Sequence, residues 1–245
     1  MECCVLVVRP QTQAVSLLNY CQQQGWRAEL FASMDVQMLP HNHEDVQQRL
    51  NATDVAFWVS ANAVVSAHQL RINPPLHNVC VGQATLVCFR QYFPQAHCLA
   101  PTDGLDSEAV MRLSLWQDPS LRHVTILNGE GGRDWLTNQL LGMGKSVQTL
   151  PLYQRVEQAL DWERFRLLSQ KFRCVVCVYS AEAVANMFSQ VPADLRGQLQ
   201  SLLYFTIHQR IADELRAMGV GRVVVGEQGH LSILKLLRQH LTLSK

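Results

Sequence analysis

The sequence predicts an α/β protein built on two parallel sheets. Three observations predict it. Apolar, β-branched runs recur at regular spacing along all 245 residues. Most are continuous rather than alternating, the pattern of strands buried on both faces. Helical stripes fill the intervals, and strands that alternate with helices belong to parallel sheets because each parallel pair needs a crossover. About ten such runs divide into two doubly wound sheets of five, and the length suits two domains at roughly 100–200 residues each.

Taken in order, the predicted strands begin with CVLVV (4–8), AELF (28–31), VAFWV (55–59), VCVG (79–82) and HCLA (97–100). VTILN (124–128), SVQTLPLY (146–153), CVVCVY (174–179), LLYFTI (202–207) and RVVVG (222–226) complete the set. Between the first two, Ala14, Leu17, Leu18 and Cys21 repeat at helical spacing and Gly25 can stop the helix. Leu136, Leu140 and Met143 form a stripe before Gly144, and Ile211, Leu215 and Met218 form another before Gly219. Val184, Met187, Phe188 and Val191 form a fourth, which Pro192 ends.

The ends of the strands carry a second regularity. Ser60, Gly82, Gly129, Ser180, Thr206 and Gly226 each close an apolar run and lead into a helix. Such junctions expose main-chain N–H groups at the positive end of a helix, and doubly wound folds bind ligands outside these carboxyl ends. Each residue is a helix cap in its own right. As a set they predict binding of an anionic ligand.

Composition excludes several classes. A formal net charge of +1 is too small for non-specific nucleic-acid binding. No apolar run reaches the ~20 residues of a membrane span, and MECCVLVVRP lacks the positive start of a signal peptide. The expectation is a cytoplasmic protein. Cys3, Cys4, Cys80, Cys174 and Cys177 lie in or beside strand-like runs, where free cysteine behaves as a small hydrophobe. Cys174 and Cys177 are three apart on a strand, so they point to opposite faces and do not pair. HNHEDV at 41–46 reads as a solvated connector, since no second ligand cluster accompanies it. No metal is expected.

ILNGEGGRDWL at 126–136 invites a phosphate-binding reading and fails it. A dinucleotide fingerprint started on Gly129 and Gly131 needs glycine where Asp134 stands. GMGKS at 142–146 lacks the first glycine of a phosphate loop, which falls on Gln139, and follows a helix rather than a strand. The glycine turn still lets a ligand approach the main chain, and Arg133 can fork onto a carboxylate; a tight turn with Arg133 in a surface salt bridge is the plainer reading.

These motifs, with VLVVRP (5–10), FWVSANAV (57–64), CVGQAT (80–85), DSEAV (106–110), VQTLPLYQR (147–155), VYSAEAV (178–184) and FTIHQRIADEL (205–215), align end to end with one family. The chain resembles the uroporphyrinogen-III synthases of haem and sirohaem (porphyrin, tetrapyrrole) biosynthesis. No single motif is diagnostic; their order and spacing are.

The resemblance implies two flavodoxin-like parallel-sheet domains joined by two extended linkers, with an active-site cleft between them. Residues 1–37 plus 156–245 would form a discontinuous domain around an inserted domain, 38–155, with loops near 36–43 and 150–157 as the crossings. It implies a cyclising hydro-lyase that closes hydroxymethylbilane with inversion of the last pyrrole ring through a spiro intermediate, releasing water, with no cofactor. It implies a monomer in transient contact with neighbouring pathway enzymes. Tyr153 matches the family's catalytic tyrosine, a donor to the departing hydroxyl; a core aromatic with a satisfied hydroxyl is the plainer alternative. Arg9, Ser60, Asn62, Thr85, Gly131, Gly132, Arg133, Ser180, Thr206 and Ile207 match positions near the substrate carboxylates. The chain departs from the family at Val8, Asn128 and Ile207, where threonine, arginine and a small hydroxyl residue are frequent. Two other classes compete: a non-catalytic two-domain sensor that closes on a small anion, and a flavodoxin-like electron carrier.

Overall fold

The computed structural model describes residues 2–102, 107–131, 134–227 and 230–241. In chain order the first elements are β1 (Cys3–Val8), α1 (Gln11–Gln23), β2 (Arg27–Leu30), β3 (Met34–Met38), α2 (His43–Asn51), β4 (Val55–Trp58), α3 (Ala61–Gln69), β5 (His77–Cys80), α4 (Gln83–Tyr92) and α5 (Ser107–Met111). After a 3-10 turn (Ser114–Gln117) come β6 (His123–Gly129), α6 (Trp135–Gly142), β7 (Ser146–Glu157), α7 (Trp162–Lys171) and β8 (Arg173–Val178). The remaining elements are α8 (Ala181–Gln190), α9 (Ala193–Ser201), β9 (Leu203–Thr206), α10 (Gln209–Ala217), β10 (Arg222–Val225) and α11 (His230–Leu241).

Among the described residues the strands form two five-stranded sheets, ordered β2-β1-β8-β9-β10 and β5-β4-β6-β7-β3. The first, counted in chain order, is 2-1-3-4-5, the flavodoxin-like doubly wound order. The second has the same spatial order when its earliest strand, β3, is counted last. The chain divides into two compact units, Met1–Asp35 with Val156–Lys245, and Val36–Arg155. The crossings lie within β3 and β7, so both are strands where loops were expected.

Each sheet is covered on both faces, and this is why its strands read as continuous apolar runs. On β1, Cys4, Leu6 and Val8 enter one core with Phe165, Met187 and Tyr204, while Val5 and Val7 enter another with Leu17, Phe205 and Leu237. Side chains alternate across a strand, so one pentapeptide feeds two cores. Cys174 joins the first core and Cys177 the second, and these two thiols do face apart. In the second unit, Trp58, Phe89 and Tyr153 fill one face and Phe57, Trp116 and Ile126 the other. Each fully buried side chain of this size contributes roughly 1.5–3 kcal/mol.

Local signals account for most element ends. Ser60 and Ser180 cap α3 and α8 by accepting the N–H of Ala63 and Ala183. Gly25 stands just past α1 at φ 71°, a left-handed turn that only glycine adopts at no cost. Several expectations are corrected. HCLA (97–100) is not a strand: one bridge pairs Leu99 with Val79, and Pro101, which has no N–H to give a ladder, stands two residues on. HNHEDV is solvated at residues 42–45 but is not all connector: α2 starts at His43 with Asn42 as its cap, and His41 and His43 bond the carbonyls of Pro151 and Leu70. Thr206 does not cap α10; His208 does, its Nδ1 accepting the N–H of Arg210.

Candidate active site

In a doubly wound sheet the binding crevice opens where the strand order reverses. In the second unit that point lies between β4 and β6. Tyr153 stands one strand away, on β7. The parallel register of β6 and β7 runs evenly from His123 opposite Ser146 to Asn128 opposite Pro151, then slips so that Gly129 faces Tyr153. The N–H of Glu130 donates to the Tyr153 carbonyl at 2.8 Å and locks the slip.

This slip lays the phenol ring over Gly129. A Cβ at position 129 would sit 2.6 Å from Tyr153 Cε2 and Cζ and 3.0 Å from its hydroxyl, so only glycine leaves room for the ring. The ring is buried, at 2% exposure. Its hydroxyl lies 2.9 Å from Ser60 Oγ, which also accepts the Ala63 N–H at 3.2 Å. A phenol, a serine and the positive end of α3 therefore form one hydrogen-bonded line at the switch point.

Four other residues of this unit surround that line in sequence. Asn62 is half-buried in the first turn of α3. Thr85 lies in the first turn of α4, behind the Gly82 cap, and is 5% exposed. Gly131 is exposed at φ 73° with open space where a side chain would stand. Asn128, before the slip, holds a buried Oδ1 that has no hydrogen-bond partner among the described residues. Gly132 and Arg133 lie outside the described residues.

In the first unit the order reverses between β1 and β8, and Arg9 and Ser180 follow those two strands. The Arg9 guanidinium lies 4.3 Å from the Tyr179 ring centroid, and its Nε donates to Gln13 Oε1 at 2.9 Å. Burial pulls the Arg9 pKa down and pushes the Tyr179 phenol up. Among the described residues this half-buried cation has no ion-pair partner, an arrangement whose burial cost an anion would offset. Ser180 is exposed and caps α8 at 3.1 Å from the Ala183 N–H. Thr206 is fully buried and its Oγ1 has no partner among the described residues. Ile207 is half-buried against both cores of its unit.

Sequence reasoning missed two features. The role of Gly129 as the seat of Tyr153 depends on a register slip that no local pattern encodes. Cys80 and Cys98 lie 3.3 Å apart, sulfur to sulfur, although their strand and loop are 18 residues apart; this neighbour and burial push the Cys80 thiol pKa up.

Comparison with known proteins points to one family. Residues 16–232 match the family described as Uroporphyrinogen-III synthase HemD. The chain belongs to the uroporphyrinogen-III synthase family. It is 26% identical over 232 residues to the uroporphyrinogen-III synthase of Escherichia coli (strain K12), covering 88% of this chain and 91% of that one. It is 30% identical over 179 residues to that of Proteus mirabilis, covering 65% and 87%. Among solved structures, a uroporphyrinogen-III synthetase from Helicobacter pylori 26695 superposes with a TM-score of 0.61 at 12% identity, covering 98% of this chain and 99% of that one. A mutant uroporphyrinogen III synthase from Thermus thermophilus gives 0.58 at 16% identity, covering 100% of both chains. At such identities the structures establish the shared fold, two α/β units on parallel-dominated sheets. Among the described residues no helix is long and apolar enough to cross a membrane.

Proposed function

We propose that this chain converts hydroxymethylbilane into uroporphyrinogen III and water, with Tyr153 donating the proton that carries off the terminal hydroxyl. The observation that carries the reading is the phenol held beside the switch point by Gly129 and Ser60, in a chain of this family. Protonation of the hydroxyl releases water and leaves an azafulvene cation on the first ring. Attack on that cation by the substituted carbon of the last ring forms a spiro centre. The old bond to that carbon breaks, the ring recloses through its free carbon, and the proton lost there restores neutrality. The remaining task is to hold the chain so that spiro closure outruns direct closure, which is positional catalysis.

The substrate carries an acetate and a propionate on each ring. A nearly neutral protein binds such a polyanion through helix N-termini and a few cations rather than a lysine patch. In this reading Arg9, Ser180 and the main-chain N–H groups after Thr206 and Ile207 hold carboxylates from the first unit. Asn62, Thr85, Gly131, Gly132 and Arg133 do so from the second. Thr206 is itself fully buried, so at that strand end the contact falls to the N–H groups that follow it, at the start of α10. The reaction draws on acid catalysis and positioning, without a cofactor. The test is incubation with hydroxymethylbilane, oxidation of the products and separation of the type III from the type I isomer. Type III product in excess of the spontaneous type I supports the reading; type I alone refutes it.

A further inference from the structure

Ser60 sits between two groups with different demands. Its Oγ accepts the Ala63 N–H at 3.2 Å and lies 2.9 Å from the Tyr153 hydroxyl oxygen. A hydroxyl has one proton to give and two lone pairs. The amide N–H can only donate, so it takes a lone pair and leaves the serine proton unspent. If Tyr153 donated to Ser60 as well, a half-buried serine proton would be displaced from the acceptor beside it, and the phenol would have spent its own proton away from any substrate.

We propose that Ser60 is a positioning residue for Tyr153, donating to the phenol oxygen and turning the phenol proton away from α3 onto the departing hydroxyl. This inference rests on the reading of Tyr153 as the proton donor. A phenol O–H lies in the plane of its ring, with two positions half a turn apart. The ring itself is held against Gly129, where even a methyl group would collide with it at 2.6 Å. With the ring fixed, a hydrogen bond from Ser60 on one side leaves the proton on the other. The bonds also run in one direction, from the α3 amide through serine to phenol, so each polarises the next. When the proton leaves, the charge on the phenol oxygen meets a donor already in place with the positive end of α3 behind it. Ser60 thereby acts through Tyr153 rather than by holding a carboxylate.

The experiment measures kcat, KM and Tm for Ser60→Ala, Ser60→Thr and Ser60→Asp, each made in the wild-type and Tyr153→Phe backgrounds. Ser60→Ala should lower kcat roughly five- to tenfold with KM unchanged, the worth of one hydrogen bond. Ser60→Thr keeps the donor and restores kcat. Ser60→Asp keeps the helix cap, and so the Tm, but can only accept. It captures the phenol proton and should bring kcat down to the level of Tyr153→Phe. In the Tyr153→Phe background all three changes should leave kcat unaltered. The inference is overturned if Ser60→Ala costs the same factor in both backgrounds, or if it raises KM alone, the mark of a substrate contact. It is overturned also if Ser60→Asp, folded and capped, turns over at the wild-type rate. Full activity of Tyr153→Phe by itself would instead remove the reading of Tyr153, and the two failures are thus told apart.

Discussion

Replacing Gly129 by alanine puts a methyl group where a hydrogen stood, and the structure says where that carbon goes. It would stand 2.6 Å from two ring carbons of Tyr153, where ordinary contact begins near 3.4 Å. The ring must retreat by about 0.8–1 Å, but it is buried among Trp58, Leu127 and Leu152. Overpacking of this kind costs about 1–3 kcal/mol, or roughly 2–12 °C in Tm for a chain of this length. The same shift carries the phenol oxygen off Ser60, and a misplacement of about 1 Å costs up to ~10²-fold in turnover. Gly197→Ala is the control. Gly197 lies inside α9 with nothing near its missing side chain, so the identical chemical change should stabilise by about 0.5–1 kcal/mol and leave turnover alone. Thermal melts and initial rates of the two variants decide the matter. Unchanged Tm and rate in Gly129→Ala would show that the ring does not rest on Gly129. A lower Tm with a full rate would show that the position of Tyr153 is irrelevant to the chemistry.

Other perturbations act on separate parts of the account. Tyr153→Phe keeps the ring in its core and should lower turnover, by up to ~10²-fold for loss of a general acid, while the product stays type III; turnover preserved with a switch to type I would mean that the phenol steers the ring instead. Arg9→Met keeps most of the packing over Tyr179 but removes the cation, and should raise KM more than it lowers kcat; a Tm fall with unchanged KM would make Arg9 a structural residue. The Asp54 carboxylate accepts the N–H of His123 and of Arg122, each at 2.8 Å, and these bonds hold its pKa below the ordinary value. A depressed carboxylate stabilises the fold above the unfolded pKa of about 4 and loses that contribution as pH falls through the folded value. Asp54→Asn should therefore cost up to about 1 kcal/mol at pH 7, after discounting for exposure, and nothing once the pH is below the folded value; urea midpoints at neutral and strongly acid pH check this, and a gap that widens on acidification would contradict it.

Elements whose causes are local were legible in the sequence. The alternate residues of Cys4–Val8 feed two cores, so the run is apolar throughout and reads as a doubly covered strand. Ser60 and Ser180 bond an N–H three residues on, so their caps are visible in any short window. Features set by partners distant in sequence were not. Met34–Met38 alternates weakly, with partly exposed side chains, and becomes a strand only beside β7 at the edge of the second sheet. Leu99 has the composition of a strand residue but a single bridge to Val79. At the site, Tyr153 could be placed on a strand, whereas its contacts with Ser60 and Gly129 come from a register slip and from strand order. The fully buried state of Thr206 follows from packing on both sides of β9 rather than from residue type.

The most direct test is the isomer ratio formed from hydroxymethylbilane by the purified chain, read after oxidation against a no-protein control. The account predicts predominantly type III porphyrin, formed faster than the spontaneous reaction and slowed by Tyr153→Phe without a change of isomer. Porphyrin that is all type I, at the rate of the control, would contradict it.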